Sequence, residues 1–183
     1  MRRALALLVL LAAAPALAED AVFKPEELKA GLARGDSGSG PCEKPLAEAQ
    51  EPVGTYDLGG GAKLIEIACW QAAYQAGSLL YVQDKAGAKL RQLSFQGWDE
   101  GKRKFASSWT LTLPDFDDSA KTLTSFNKAR GAGGCGSVGQ WRWTGRDFAM
   151  VAYWNKPHCD DGSFEPVGDP QPGDRRYRVF PKK

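Results

Sequence analysis

Four cysteines, a single histidine and two short groups of aspartates are the residues whose types lend themselves to chemistry. His158 lies between Pro157 and Cys159. A Ser–His or Cys–His mechanism would have to use that one imidazole, and no G-x-S-x-G elbow accompanies it, so His158 reads as a loop residue. Asp115, Asp117 and Asp118 cluster after Pro114, and Asp160 and Asp161 follow Cys159. Hard cations take oxygen ligands of this kind, but the cluster lacks the glycine and distal glutamate of a calcium loop, so no metal is assigned. Two carboxylates converging roughly 5–10 Å apart would suit glycoside cleavage, a separation in space that sequence does not give.

The most distinctive segment is Lys128-Ala129-Arg130-Gly131-Ala132-Gly133-Gly134-Cys135-Gly136. Glycines reach backbone angles closed to other residues, so consecutive N–H groups here can converge as an anion-binding nest beside Lys128 and Arg130. A plainer reading is a tight connection that needs glycine to turn before Cys135. No Gly-Lys-Ser/Thr follows and no helix does, which removes the nucleotide-loop readings and leaves no cofactor implied. Six tryptophans, five tyrosines and eight phenylalanines are many for this length. Such rings stack on sugars, and Trp70, Tyr74, Trp98 and Trp154 are the expected exposed ones. The candidate ligand-binding set is therefore Lys128, Arg130, Gly131, Gly133, Gly134, Trp70 and Tyr74, with no catalytic residue among them.

These residues need a scaffold, and its address comes first. Arg2 and Arg3 precede an apolar run from Ala4 to Leu11, and the segment ends in Ala16-Leu17-Ala18. This reads as a secretory signal peptide over residues 1–18, too short to span a bilayer, with a periplasmic destination and no membrane insertion expected. Removing it takes away two arginines and no acid, so the chain's net charge of +2 becomes zero. A nucleic-acid footprint is not supported. An even number of cysteines in an exported chain, none in a C-x-x-C, implies disulfides.

Pro25, Glu26 and Glu27 mark a short helix within residues 19–34, and a Gly/Ser-rich linker carries the chain to residue 41. The β domain is expected over 42–183. Short β-rich runs punctuated by Gly and Asp fall near 53–58, 63–69, 78–83, 89–96, 105–113, 121–127, 138–144, 147–154 and 176–180. They predict an all-β, mostly antiparallel single domain of about 8–9 strands, closed as a barrel or folded as a two-sheet sandwich. From Phe105 to Leu113, Phe105, Trp109, Leu111 and Leu113 alternate with Ala106, Ser108, Thr110 and Thr112, which predicts one half-buried strand. Ile65, Ile67 and Cys69 share a face, which points Cys69 inward. Gly145-Arg146 fits a type II′ turn. Pairing Thr144 with Asp147 then sets Trp143 opposite Phe148 and Trp141 opposite Met150. The same ladder brings residue 135 opposite 156, so a Cys135–Cys159 bridge is natural and Cys42–Cys69 follows by elimination.

Leu123-Thr124-Ser125-Phe126-Asn127 leading into Lys128–Gly136, the Trp141-Arg142-Trp143 strand and a cysteine near 159 together resemble the bacterial periplasmic family known as domain of unknown function 1176. Lys63-Leu64-Ile65-Glu66-Ile67-Ala68-Cys69 with Ala73-Tyr74 is similar to that family as well. Its members are about twice as long, so the chain resembles their C-terminal half, and Gly134 stands where the family pattern has an acid. The resemblance implies location and architecture and carries over no activity. The expected function is a non-catalytic, envelope-associated binding module for a protein, in the manner of a lysozyme inhibitor, or for a glycan. The alternatives are an envelope polysaccharide or peptidoglycan hydrolase using aspartates, and anion or metabolite binding at the Lys128–Gly136 loop.

Overall fold

The structure, a computed structural model, describes Cys42 and residues 53–130, 134–159 and 177–181. The leader, the helix and the linker expected from the sequence over residues 1–41 lie outside these residues. Twelve strands are present among them, and no helix there is long and apolar enough to cross a membrane.

One sheet is built from β1 (Gly54–Gly59), β2 (Ala62–Gln71), β3 (Ala76–Gln83) and β4 (Arg91–Gln92), in that order, with β7 (Thr110–Thr112) beside the other half of β3. The second runs β12 (Arg178–Phe180), β11 (Phe148–Lys156), β10 (Gly136–Trp143), β9 (Thr122–Lys128), β8 (Pro114–Asp117). A two-stranded ribbon, β5 (Phe95–Asp99) with β6 (Lys104–Ser108), completes the set. All the pairings are antiparallel. The sheets stay open and layer on one another like a sandwich, which decides the question the strand pattern leaves open.

The layers meet through Leu64, Leu80, Val82 and Leu111 from the first sheet, Leu123, Trp141 and Tyr153 from the second, and Phe95 from the ribbon. Each fully buried side chain of this size stabilises by roughly 1.5–3 kcal/mol. Because β2 and β3 are covered on both faces, Ile65, Ile67 and Cys69 form a separate cluster with Leu79, Tyr81 and Leu90 on the outer side. Cys69 points inward there, as the alternation predicts, and is bridged to Cys42 with Cα atoms 4.6 Å apart. Cys135 is bridged to Cys159 at 4.7 Å.

The hairpin register matches expectation near its turn: Trp143 faces Phe148, Trp141 faces Met150, and the Thr144 N–H donates to the Asp147 carbonyl at 2.9 Å. Gly145 supplies the left-handed φ of 91° that this turn needs. A bulge between Gln140 and Trp141 then shifts the ladder by one, so Gly136 rather than residue 135 faces Lys156. A strict count along the strand does not see an inserted residue.

Three other expectations are corrected. The Phe105–Leu113 run is not one strand: Ser108 Oγ donates to the Thr110 carbonyl at 2.8 Å and accepts from its N–H at 3.3 Å, a local loop that interrupts the ladder at Trp109. Phe105 and Leu111 therefore pack between the layers while Trp109 joins the outer cluster. Leu113 has a φ of 43° and turns the chain into β8, a strand the aspartate-rich stretch conceals. The 89–96 run divides into β4 and the start of β5. Trp154 is buried at 6 % exposure, in the outer cluster of the second sheet with Phe126, Val138 and Ala152.

Between the layers, Glu66 is buried and accepts from Ser78 Oγ at 2.6 Å and Tyr56 Oη at 3.1 Å. Burial, and then the Glu66 carboxylate it donates to, push the Tyr56 phenol up to about 12. Because the unfolded chain ionises this group near pH 10, the stability it contributes is complete below pH 10 and is lost as pH rises through about 12. Allowing for partial solvent screening, that loss is at most about 2 kcal/mol. Urea melts of Tyr56→Phe are expected to show a flatter alkaline limb than the parent; parallel limbs would remove the assignment.

Candidate functional site

The antiparallel pairing of β9, β10 and β11 places three rows of side chains on the inner face of the second sheet. Leu123, Trp141 and Met150 form the first; Ser125, Gly139 and Tyr153 the second; Asn127, Ser137 and Asn155 the third. The face thus grades from apolar to amide and hydroxyl. The apolar end is floored by Phe95, whose ring meets Trp141 edge-on at 5.3 Å. The polar end is not sealed. It opens into a cleft of about 390 Å³ bounded on the other side by the β5–β6 ribbon and by Thr110, Leu111 and Thr112 of β7.

Small residues keep this space clear. Gly97 and Ala106 pair across the ribbon and both line the cleft. Gly139 lets the Trp141 indole lie flat against the strand, where any added Cβ would collide with the ring. Polar contacts hold the walls. Ser125 Oγ donates to the Thr112 carbonyl at 2.7 Å, tying the two sheets together. Gln96 Nε2 donates to Ser107 Oγ at 2.8 Å, and Tyr153 Oη to Ser137 Oγ at 3.1 Å.

Trp98 lines the cleft, half-buried, with its orientation set from two sides. Its ring meets Phe105 edge-on at 5.3 Å, and its Nε1–H donates to Glu100 Oε2 at 2.7 Å. The same oxygen accepts from Asn155 Nδ2 at 2.7 Å, which fastens the ribbon to the second sheet. Trp141 is the contrasting indole: it is 3 % exposed, and its Nε1–H has no hydrogen-bond partner among the described residues.

Among the described residues, the cleft lining contains one carboxylate, Asp99, and no lysine or arginine. The Lys102 ammonium lies 3.0 Å from Asp99 Oδ2 and the Lys102 N–H donates to Oδ1 at 3.0 Å, which together hold this carboxyl below its ordinary range. It stays an anion at neutral pH and is unsuited to proton donation.

Apart from Trp98, the candidate residues expected from the sequence lie elsewhere. Lys128 follows Asn127 on β9 and projects to the outer face, its ammonium 5.5 Å from the Phe126 ring centroid. Its N–H donates to Gln75 Oε1 at 3.0 Å, so the β2–β3 turn that carries exposed Tyr74 abuts this loop. Trp70, half-buried, lies over Gly77 against the outer cluster. Arg130 is exposed; Gly131 and Gly133 fall outside the described residues. Gly134 has a φ of 43°, and Ala129 N–H closes the loop onto the Cys135 carbonyl at 3.2 Å. Gly136, at φ 136°, lies so close to the Asn127 carbonyl that a Cβ has no room. Gly134 and Gly136 thus adopt backbone angles that suit glycine where the chain turns into β10.

Among the aspartates, Asp117 accepts from Ser119 Oγ and the Ser119 and Ala120 N–H groups, which lower its pKa. Asp118 pairs with Lys121 at 2.6 Å. These are turn contacts. His158 is exposed, and Asp160 and Asp161 lie outside the described residues. No group of three or more metal-ligating side chains occurs among the described residues. Sequence reasoning flagged only Trp98 of the cleft, and the Ser/Thr alternation of residues 106–112 was its other trace.

Comparison with known proteins agrees with the resemblance. The chain is 28 % identical over 160 residues to an uncharacterised protein, YpfG, of Escherichia coli strain K12, an overlap of 81 % of this chain and 45 % of that one. The chain therefore spans about half the length of the curated relative it matches. No solved structure matches. The family described as Protein of unknown function (DUF1176) matches residues 6–168, and the chain belongs to it.

Proposed function

We propose that this protein is a non-catalytic binding module of the bacterial envelope whose cleft holds a segment of glycan. The observation that carries the reading is the cleft's lining: neutral hydroxyl and amide groups beside aromatic rings, with a single, ion-paired carboxylate. A sugar ring offers apolar C–H faces and a rim of hydroxyls, and this surface complements both. That the described lining holds no lysine or arginine argues for an uncharged ligand. Acid–base glycoside cleavage needs two carboxyls, and the described lining supplies one, which favours binding over hydrolysis. An envelope address accords with the expected leader and with the two disulfides.

Titrating the protein with soluble β-linked glucose and N-acetylglucosamine trimers, followed by calorimetry and tryptophan fluorescence, tests this. Saturable binding with a Kd on the order of 0.1 mM, about 5.5 kcal/mol, is expected for at least one, with no new reducing ends. Flat isotherms for both would refute the glycan reading, and release of reducing ends would replace it with hydrolysis.

A further inference from the structure

Resting on the glycan reading, we infer that the cleft is built for 2-acetamido sugars, with the acetamido group entering the deep end and its carbonyl accepting from Trp141 Nε1. Three observations converge on this. The Trp141 indole nitrogen is a buried donor without a partner, in a residue that lines the cleft. A buried N–H left unpaired costs about 1–3 kcal/mol, so a ligand that brings an acceptor recovers stabilisation that a ligand without one does not. The core that Trp141 belongs to is apolar at this end: Phe95 and Leu111, both buried, line the cleft with it, and the Phe95 ring meets the indole edge-on. A hydroxyl placed there meets a donor but leaves its own hydrogen among hydrocarbon groups. An acetamido group instead pairs a carbonyl acceptor with a methyl that suits the apolar wall. At the opposite end, Asn127, Ser137 and the ribbon amide Gln96 offer both donors and acceptors for ring hydroxyls.

The indole nitrogen is closed to bulk water, so the acetamido group reaches it by wedging beside the ring edge and displacing it slightly. The ring packs directly on Gly139, which has no side chain to hold it from that side. The preference therefore resides in the deep end, and Trp98 at the side contributes stacking common to all sugars.

The test uses the full chain and two uncharged trimers that differ in the substituent at carbon 2, N-acetylglucosamine and glucose, both β-1,4-linked. Binding of the acetamido trimer at least tenfold tighter is expected. Equal affinities would overturn the acetamido assignment and leave glycan binding standing, whereas no binding of either trimer would overturn both. In Trp141→Phe the affinity ratio is expected to collapse toward one; a retained tenfold ratio counts against the indole as donor. Should that variant not fold, the thioacetamido trimer, which keeps the methyl and weakens the acceptor, serves with the unaltered protein. It should bind at least fivefold more weakly than the acetamido trimer, and equal binding again removes the Nε1 contact.

Discussion

Gly97→Leu is expected to weaken the proposed glycan binding at least about 50-fold while leaving the fold intact. Gly97 sits in β5 with ordinary strand angles, and a Cβ there would meet only Tyr153 Oη, at 3.7 Å, an ordinary contact. The remaining atoms of a leucine then extend into the cleft that Gly97 and Ala106 keep open. A ligand that must share the space loses its contacts with Tyr153 and Trp98 together, a drop of at least about 50-fold, or 2.3 kcal/mol. Gly97→Ala should fall between, losing about threefold, since it adds one methyl at the wall. Unchanged calorimetric affinity in Gly97→Leu, with a parental melting temperature, would mean that the cleft is not the binding site.

Replacing Cys42 and Cys69 by alanine should cost about 3–4 kcal/mol, which for a chain of this size lowers Tm by about 10 °C. The bridge closes a separation of 27 residues, and Cys69 is 1 % exposed within the Ile65–Ile67–Tyr81 cluster. Its loss therefore both releases the unfolded chain and empties a packed position. The Cys135–Cys159 bridge spans 24 residues, but its Cys159 end is exposed, so only Cys135 leaves a packed gap. The second double alanine variant is expected to cost less than the first. Thermal melts of both variants check the ordering, and a Cys42–Cys69 variant that melts with the parent would show that the outer cluster holds without the bridge.

Much of the scaffold was readable from local rules. The Gly145-Arg146 turn and its flanking Trp143–Phe148 and Trp141–Met150 pairs follow from turn chemistry and a period of two, both of which act over a few residues. The inward Cys69 and the choice of bridges follow from the same alternation. Where one side-chain hydroxyl or one extra residue changed the path, the reading failed. Ser108 broke the 105–113 run, Leu113 opened β8, and the Gln140–Trp141 bulge moved the ladder by one. Each is a contest between a ladder hydrogen bond and a local alternative of similar energy, which composition does not decide.

The candidate site divides in the same way. The sequence on its own determined the disulfide chemistry, the antiparallel all-β class and membership of a family, because these rest on residue types and short spacings. Only the tertiary structure decided that the conspicuous Lys128–Gly136 loop projects its lysine away from the cleft, and that Gln96, Ser125, Ser137 and Gly139 gather around one space. Gln96 comes from a ribbon remote in sequence from β9 and β10, which carry the other three. Their meeting is set by how a ribbon and two sheets stack, and a hydroxyl on a strand has no distinguishing mark until the opposite wall is in place.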